Sequence, residues 1–152
     1  MAVFSCPIRV RWGEVDAQGV VFNPNYFVYA DVAATEFFRT AGVLTAAHPD
    51  MGESYVVDAH ARFSASARFD DLLDVRVSLP RIGRSSYALE VEIRRGDQIL
   101  TTVSLTYVRA VDGQSLPLSD GFRSILARLE TPAPSPAAVQ QIVSTCAPLS
   151  TR

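Results

Sequence analysis

The stretch from Asn23 to Gly42 constrains this chain more than any other. It opens on Asn23, a residue type that caps helix starts, and Pro24, whose fixed φ suits the first helical position. It closes at Gly42, which suits the position just past a helix end. Between them Tyr26, Ala30, Ala33, Phe37 and Ala41 recur at helical spacing, while Phe27, Ala34 and Phe38 widen the stripe. The spacing predicts a helix of about 18 residues, roughly 27 Å long, apolar over most of its circumference and therefore buried rather than laid on a surface. A chain with such a helix must supply something to wrap around it.

The rest of the sequence supplies strands. Ser5 to Trp12 alternates, with Ile8, Val10 and Trp12 on one face and Arg9 and Arg11 on the other, and predicts a first strand ending near Gly13. Gly13 to Asn25 carries the turn chemistry of a sharply bent loop. After a second loop over residues 45–54, four alternating segments follow: Tyr55 to Phe63, Leu72 to Pro80, Ser86 to Arg94 and Gln98 to Arg109. In the third, Tyr87, Leu89, Val91 and Ile93 share one face. Arg95 to Asp97 reads as a tight hairpin turn. Asp120 to Leu129 predicts a short helix capped by Ser119 or Asp120. The order gives an α+β fold, an antiparallel sheet wrapped around one long helix, as a single domain over residues 1–130. A Pro-, Ala- and Ser-rich tail over 131–152 is expected to be loosely held, with one helical turn around Ala137 to Val143. One helix cannot cover the whole sheet, so subunits are expected to pair as a homodimer or homotetramer.

Composition removes several function classes. With 152 residues and net charge −2, no Lys/Arg cluster forms the footprint that nucleic-acid phosphates require, and an anionic ligand has to meet local positive charge. Cys6 and Cys146 lack CxxC spacing and only His48 and His60 are available, so no metal or other cofactor is expected and both thiols read as reduced. No apolar run approaches the roughly 18 residues of a membrane span, nor does the N-terminus resemble a signal peptide, which predicts a cytoplasmic protein. The absence of a GxSxG elbow argues against an α/β-hydrolase.

The chemistry concentrates in the loop DAQGVVFNPNY, Asp16 to Tyr26. Asp16, Gly19 three residues on, the pair Val21-Phe22, and Tyr26 ten residues after the aspartate resemble the active-site loop of hotdog-fold acyl-CoA thioesterases of the 4-hydroxybenzoyl-CoA type. Asp31 on the helix and the segment Arg81 to Tyr87 also resemble that family, and the order of elements is similar over roughly residues 5 to 130. The resemblance implies hydrolysis of an acyl-CoA thioester, the acyl group being aromatic in some members, with Asp16 as nucleophile or general base. It also implies a backbone N–H near Asn23 as donor to the carbonyl oxygen. The physics of the loop agrees. A thioester needs a carboxylate and donors for the oxygen that becomes negative, and the first N–H groups of a helix have no intrahelical partner. Gly19 is expected to let the backbone approach the substrate.

Each residue has a plainer reading. A lone Asp-x-x-Gly is more often a solvated loop or an Asx turn, and it is the extended match that reverses those odds for Asp16. Phe22 and Tyr26 either line a substrate pocket or pack the core. Asp31 either points to solvent or is a buried polar group near the acyl end. Arg81 and Arg84, with Ser85 beside them, either meet CoA phosphates or decorate a solvated hairpin. Glu36 reads as a surface helix residue and His60 as a surface or interface histidine. Hydration of enoyl thioesters, hydrolysis of carrier-protein thioesters and non-catalytic binding of an acyl thioester are the competing functions.

Overall fold

The computed structural model describes residues 4–44 and 48–131. Five strands form an antiparallel sheet in the order β1-β3-β4-β5-β2: β1 Phe4–Arg9, β2 Ser54–Phe63, β3 Leu72–Ile82, β4 Ser86–Arg95 and β5 Gln98–Val111. A two-residue strand, β6 Gln114–Ser115, folds back on β5. The long helix α1, Pro24–Thr40, lies over β1, β3, β4 and β5. A single turn, α2 Pro49–Gly52, and a short helix, α3 Asp120–Leu129, complete the chain. The α+β expectation of a sheet wrapped around one helix holds.

The core forms where the two periodicities meet. Tyr26, Ala30, Ala33, Ala34, Phe37 and Phe38 of α1 are buried against Val75, Val77 and Leu79 of β3 and Tyr87, Leu89, Val91 and Ile93 of β4. The alanines let the helix approach the sheet closely, and the aromatic rings fill what remains: Phe38 meets Tyr87 and Tyr107 edge-on at 6.1 and 6.0 Å. Each buried Val, Leu, Ile or Phe side chain among them stabilises the fold by about 1.5–3 kcal/mol. Ser119 caps α3 by accepting the Phe122 N–H at 3.3 Å, as its residue type predicts.

Several expectations are corrected. The alternation that placed Trp12 with Ile8 and Val10 fails because β1 ends at Arg9 and residues 12–14 turn into a 3-10 helix, leaving Trp12 76% exposed against Phe69. Residues 49–52, expected within a loop, form α2, where Pro49 opens the turn and the buried Asp50 carboxylate accepts the Ser119 N–H at 2.7 Å. The helix α1 is not buried all round: Val28 and Val32 are about half exposed, at 48% and 43%. Thr131, expected at the start of a loose tail, is stitched to β3 through Leu79 in both directions. The expected turn at 137–143 and Cys146 lie outside the described residues.

The strand β2 occupies the open edge of the sheet. Tyr55, Val56, Val57 and Phe63 are all at least 49% exposed, although the alternation had assigned β2 one buried face. The reason is position: α1 packs over the other four strands and leaves the β2 edge uncovered. Among the described residues no helix is long and apolar enough to cross a membrane.

Candidate active site

The loop before α1 is built almost wholly from main-chain bonds. Val15 and Val21 form an antiparallel bridge, the Asp16 N–H donates to Val20 O at 2.9 Å, and the Gly19 N–H donates to Asp16 O at 2.9 Å. Gly19 sits at φ +75°, the left-handed region that side chains resist. A Cβ there would meet no protein atom within 4 Å, so it is the turn's backbone conformation that calls for glycine at this position. The loop is docked on the connection after β2 by the Val21 N–H, which donates to Ala67 O at 2.9 Å.

Asp16 is half-buried. Its Oδ1 accepts the Gln18 N–H at 2.8 Å, an Asx turn that fixes the side chain, while Oδ2 has no hydrogen-bond partner among the described residues. The plain reading and the chemical one therefore describe different oxygens of the same carboxylate.

Asn23 departs from the expected cap. It already has helical dihedrals, φ −53° and ψ −35°, and its side chain makes no capping bond. The Glu14 carbonyl anchors the helix start from outside, accepting the Phe22 N–H and the Asn25 side-chain amide, each at 2.9 Å. Pro24 has no N–H, the Asn25 N–H goes to Phe22 O at 2.9 Å and the Tyr26 N–H to Asn23 O at 3.3 Å. The Asn23 N–H is left without an acceptor among the described residues, at the positive end of the helix dipole.

Asp16 and Asn23 line one open cleft of about 450 Å³. Val21, Phe22 and Tyr26 line it as well, and residues 63–66 at the end of β2 form a further wall. Phe22 is 54% exposed in it. Tyr26 is buried: its ring packs edge-on against Phe63 at 5.3 Å and its hydroxyl accepts the Ala67 N–H at 2.9 Å, holding the far wall in place.

The remaining expected residues are elsewhere in a single chain. Asp31 is exposed and does not line the cleft; together with burial, its charge pushes the Tyr107 phenol up to about 12. Arg81 and Arg84 are exposed on the β3–β4 hairpin, and Ser85 uses its carbonyl to accept the Arg109 N–H at 2.9 Å. That hairpin lies at the other end of the sheet. Phe63 pairs with Thr101 and Ser54 with Arg109, eight residues along β5, or roughly 26 Å at about 3.3 Å per residue. Glu36 pairs with Arg39 on the helix surface, and His60 is exposed 3.3 Å from Asp58.

Sequence reasoning missed Glu14 and the wall at residues 63–66. The Glu14 side chain accepts the Arg11 N–H at 2.8 Å, the Arg11 Nε–H at 2.7 Å and the Tyr29 hydroxyl at 2.6 Å. The available signal was its spacing three residues after Arg11, the mark of a capping turn.

A curled antiparallel sheet wrapped on one long helix is the hotdog fold. The chain belongs to the thioesterase superfamily, whose family model matches residues 18–102, more than half of its length. It is 28% identical over 119 residues to the acyl-CoA thioesterase YbgC of Haemophilus influenzae, covering 76% of this chain and 87% of that protein. It is 26% identical over 133 residues to the 4-hydroxybenzoyl-CoA thioesterase of Pseudomonas sp. strain CBS-3, covering 82% and 89%. Among solved structures, a gentisyl-coenzyme A thioesterase superposes with a TM-score of 0.71 at 27% identity, covering 81% of this chain and 98% of that one.

Proposed function

We propose that this enzyme hydrolyses an acyl-CoA whose acyl group is aromatic, with Asp16 as the reacting carboxylate and the Asn23 N–H as the donor to the thioester oxygen. The observation that carries this reading is that Asp16 and Asn23 line one cleft, the Asp16 Oδ2 and the Asn23 N–H each being without a hydrogen-bond partner among the described residues. Asp16 either attacks the carbonyl carbon, forming an acyl anhydride that water then opens, or draws a proton from a water that attacks directly. Both routes consume one water and release the acid and the CoA thiol. The negative charge that develops on oxygen meets the helix N-terminus, where a fixed donor needs no reorganisation at the moment of reaction. The rings of Phe22, Phe63 and Tyr26 give the cleft an aromatic lining, and the names of two relatives above specify aryl-CoA substrates. A thiol-release screen over short, long, branched and aryl acyl-CoAs should give the highest kcat/KM for an aryl ester. Absence of thiol release from every ester would overturn the assignment.

The active unit in this reading is a homodimer formed edge to edge through β2, and two such dimers are free to pair as a tetramer. Supporting it are the exposed apolar run Tyr55, Val56, Val57 on the open edge and the exposed Val28 and Val32 on α1. Two-fold pairing of identical strands is antiparallel, so it brings the Arg81–Ser85 hairpin of one copy to the same end of the joined sheet as the Asp16 cleft of the other. The arginines then stand where CoA phosphates emerge, although one chain alone holds them toward the opposite end of the sheet. Val57 is the residue to change, because it lies at the β2 irregularity and has no register partner in β5. Val57→Lys should leave the fold intact, place a charge on the pairing edge, shift sedimentation toward the 16.6 kDa protomer and reduce turnover in parallel. A fully active monomer would refute the shared site.

A further inference from the structure

Among the described residues two carboxylates are buried, Asp50 at 2% exposure and Glu14 at 8%. Folding accounts for Asp50: it accepts the Ser119 N–H at the start of α3 and lies 3.4 Å from Arg109. Glu14 sits instead in a surface loop, where a charged side chain could remain in water at no cost, two residues before Asp16. A charge withdrawn from water there must be matched by fixed partners. We propose that Glu14 is a positioning residue for thioester hydrolysis, which clamps the Asp16 loop to α1 so that the Asp16 carboxylate and the Asn23 N–H keep one mutual geometry; this rests on the reading of those two groups given above.

The contacts run to both partners of the reaction. Through its side chain Glu14 holds the Tyr29 hydroxyl, one turn into α1, and both the N–H and the guanidinium of Arg11. Through its carbonyl it holds the N–H of Phe22 and the side-chain amide of Asn25. Those last two residues flank Asn23, so the donor is bracketed from both sides by one residue. The Val15–Val21 bridge then carries the same register to Asp16. Arg11 supplies charge at little desolvation cost, since its side chain is 77% exposed. Burial pushes the Glu14 carboxyl up, but the Arg11 N–H, the Tyr29 hydroxyl and the guanidinium outweigh it and leave it below its ordinary value. Its stabilisation is thus present above the ordinary carboxylate range and is lost as pH falls through the lowered value. Tyr29 responds in the opposite sense, its phenol raised chiefly by burial and then by Glu14.

The separation of roles makes the claim testable. A misplacement of about 1 Å between reacting groups costs up to roughly 10²-fold in rate, whereas Glu14 does not line the cleft and its replacement is expected to leave KM little changed. The test compares wild type, Glu14→Gln, Tyr29→Phe and Asp16→Asn with the best aryl-CoA, each kcat being normalised to the fraction of protein that binds CoA by titration calorimetry. That normalisation removes any loss caused merely by misfolding. Glu14→Gln should lower normalised kcat about 10- to 100-fold, the range for supporting partners of a reactive group, with KM within about 3-fold. Tyr29→Phe removes one hydrogen bond and should lower kcat about 3- to 10-fold. If Asp16→Asn is inactive while Glu14→Gln, or Tyr29→Phe should the former not fold, keeps wild-type normalised kcat, the inference falls and the reading of Asp16 stands. Wild-type turnover in Asp16→Asn overturns both.

Discussion

Asp16→Asn should fold as the wild type does and release thiol about 10²- to 10⁴-fold more slowly, the range for loss of a positioned acid or base. The expectation of an intact fold comes from how the loop is held. Asp16 contributes its main-chain N–H and carbonyl to the turn, and asparagine keeps both. An asparagine Oδ1 can still accept the Gln18 N–H, so the Asx turn that orients the side chain survives. What disappears is the second oxygen, the one with no partner, whose replacement by an amide can neither attack a carbonyl carbon nor take a proton. Thiol release measured beside the thermal midpoint separates the two effects. A single turnover of the wild type in ¹⁸O-labelled water bears on the route: label in the Asp16-containing peptide requires attack by the carboxylate, whereas label only in the product acid is given both by an activated water and by an anhydride that water opens at its acyl carbon. Wild-type thiol release from this variant would discard Asp16.

Legibility of this fold in the sequence follows how local each determinant is. The alternation of Tyr87, Leu89, Val91 and Ile93 identified β4 and its inward face because a central strand meets the core at every second residue. Ser119 announced α3 because a cap is a contact three residues long. The same rules misplaced Trp12, where one 3-10 turn breaks the period, and Asn23, which is already helical while the Phe22 carbonyl accepts the first helical N–H. For β2, apolar alternation says that a face is to be covered but not by what. Tyr55 and Val57 are exposed because, among the described residues, α1 packs over the other four strands and leaves this one uncovered. At the site, Asp16, Phe22, Asn23 and Tyr26 were legible as a motif of eleven consecutive residues and do share one cleft. Residues 63–66, which close that cleft, and Glu14, which holds its loop, were not, since nothing in a sequence reports a contact from residue 67 to residue 26. Arg81 and Arg84 show the converse, a local resemblance that falls on an exposed hairpin and does not line that cleft.

The donor at the helix start can be removed without touching a side chain that matters. Asn23 has φ −53°, close to the angle at which a proline ring fixes the backbone, so Asn23→Pro replaces its N–H while leaving its carbonyl to accept the Tyr26 N–H. Loss of one such donor costs about 2.7–4 kcal/mol of barrier, or about 10²- to 10³-fold in kcat. Because the Asn23 side chain makes no capping bond, Asn23→Ala keeps the donor and should stay within about 0.5 kcal/mol of wild type in stability, with turnover little changed. The pair thus isolates one main-chain hydrogen. A thermal midpoint for Asn23→Pro near that of Asn23→Ala shows that Phe22, now preceding a proline, keeps its backbone. Under that condition, equal turnover in the two variants would mean that the oxyanion finds its donor elsewhere, and the helix N-terminus would lose its part in the chemistry.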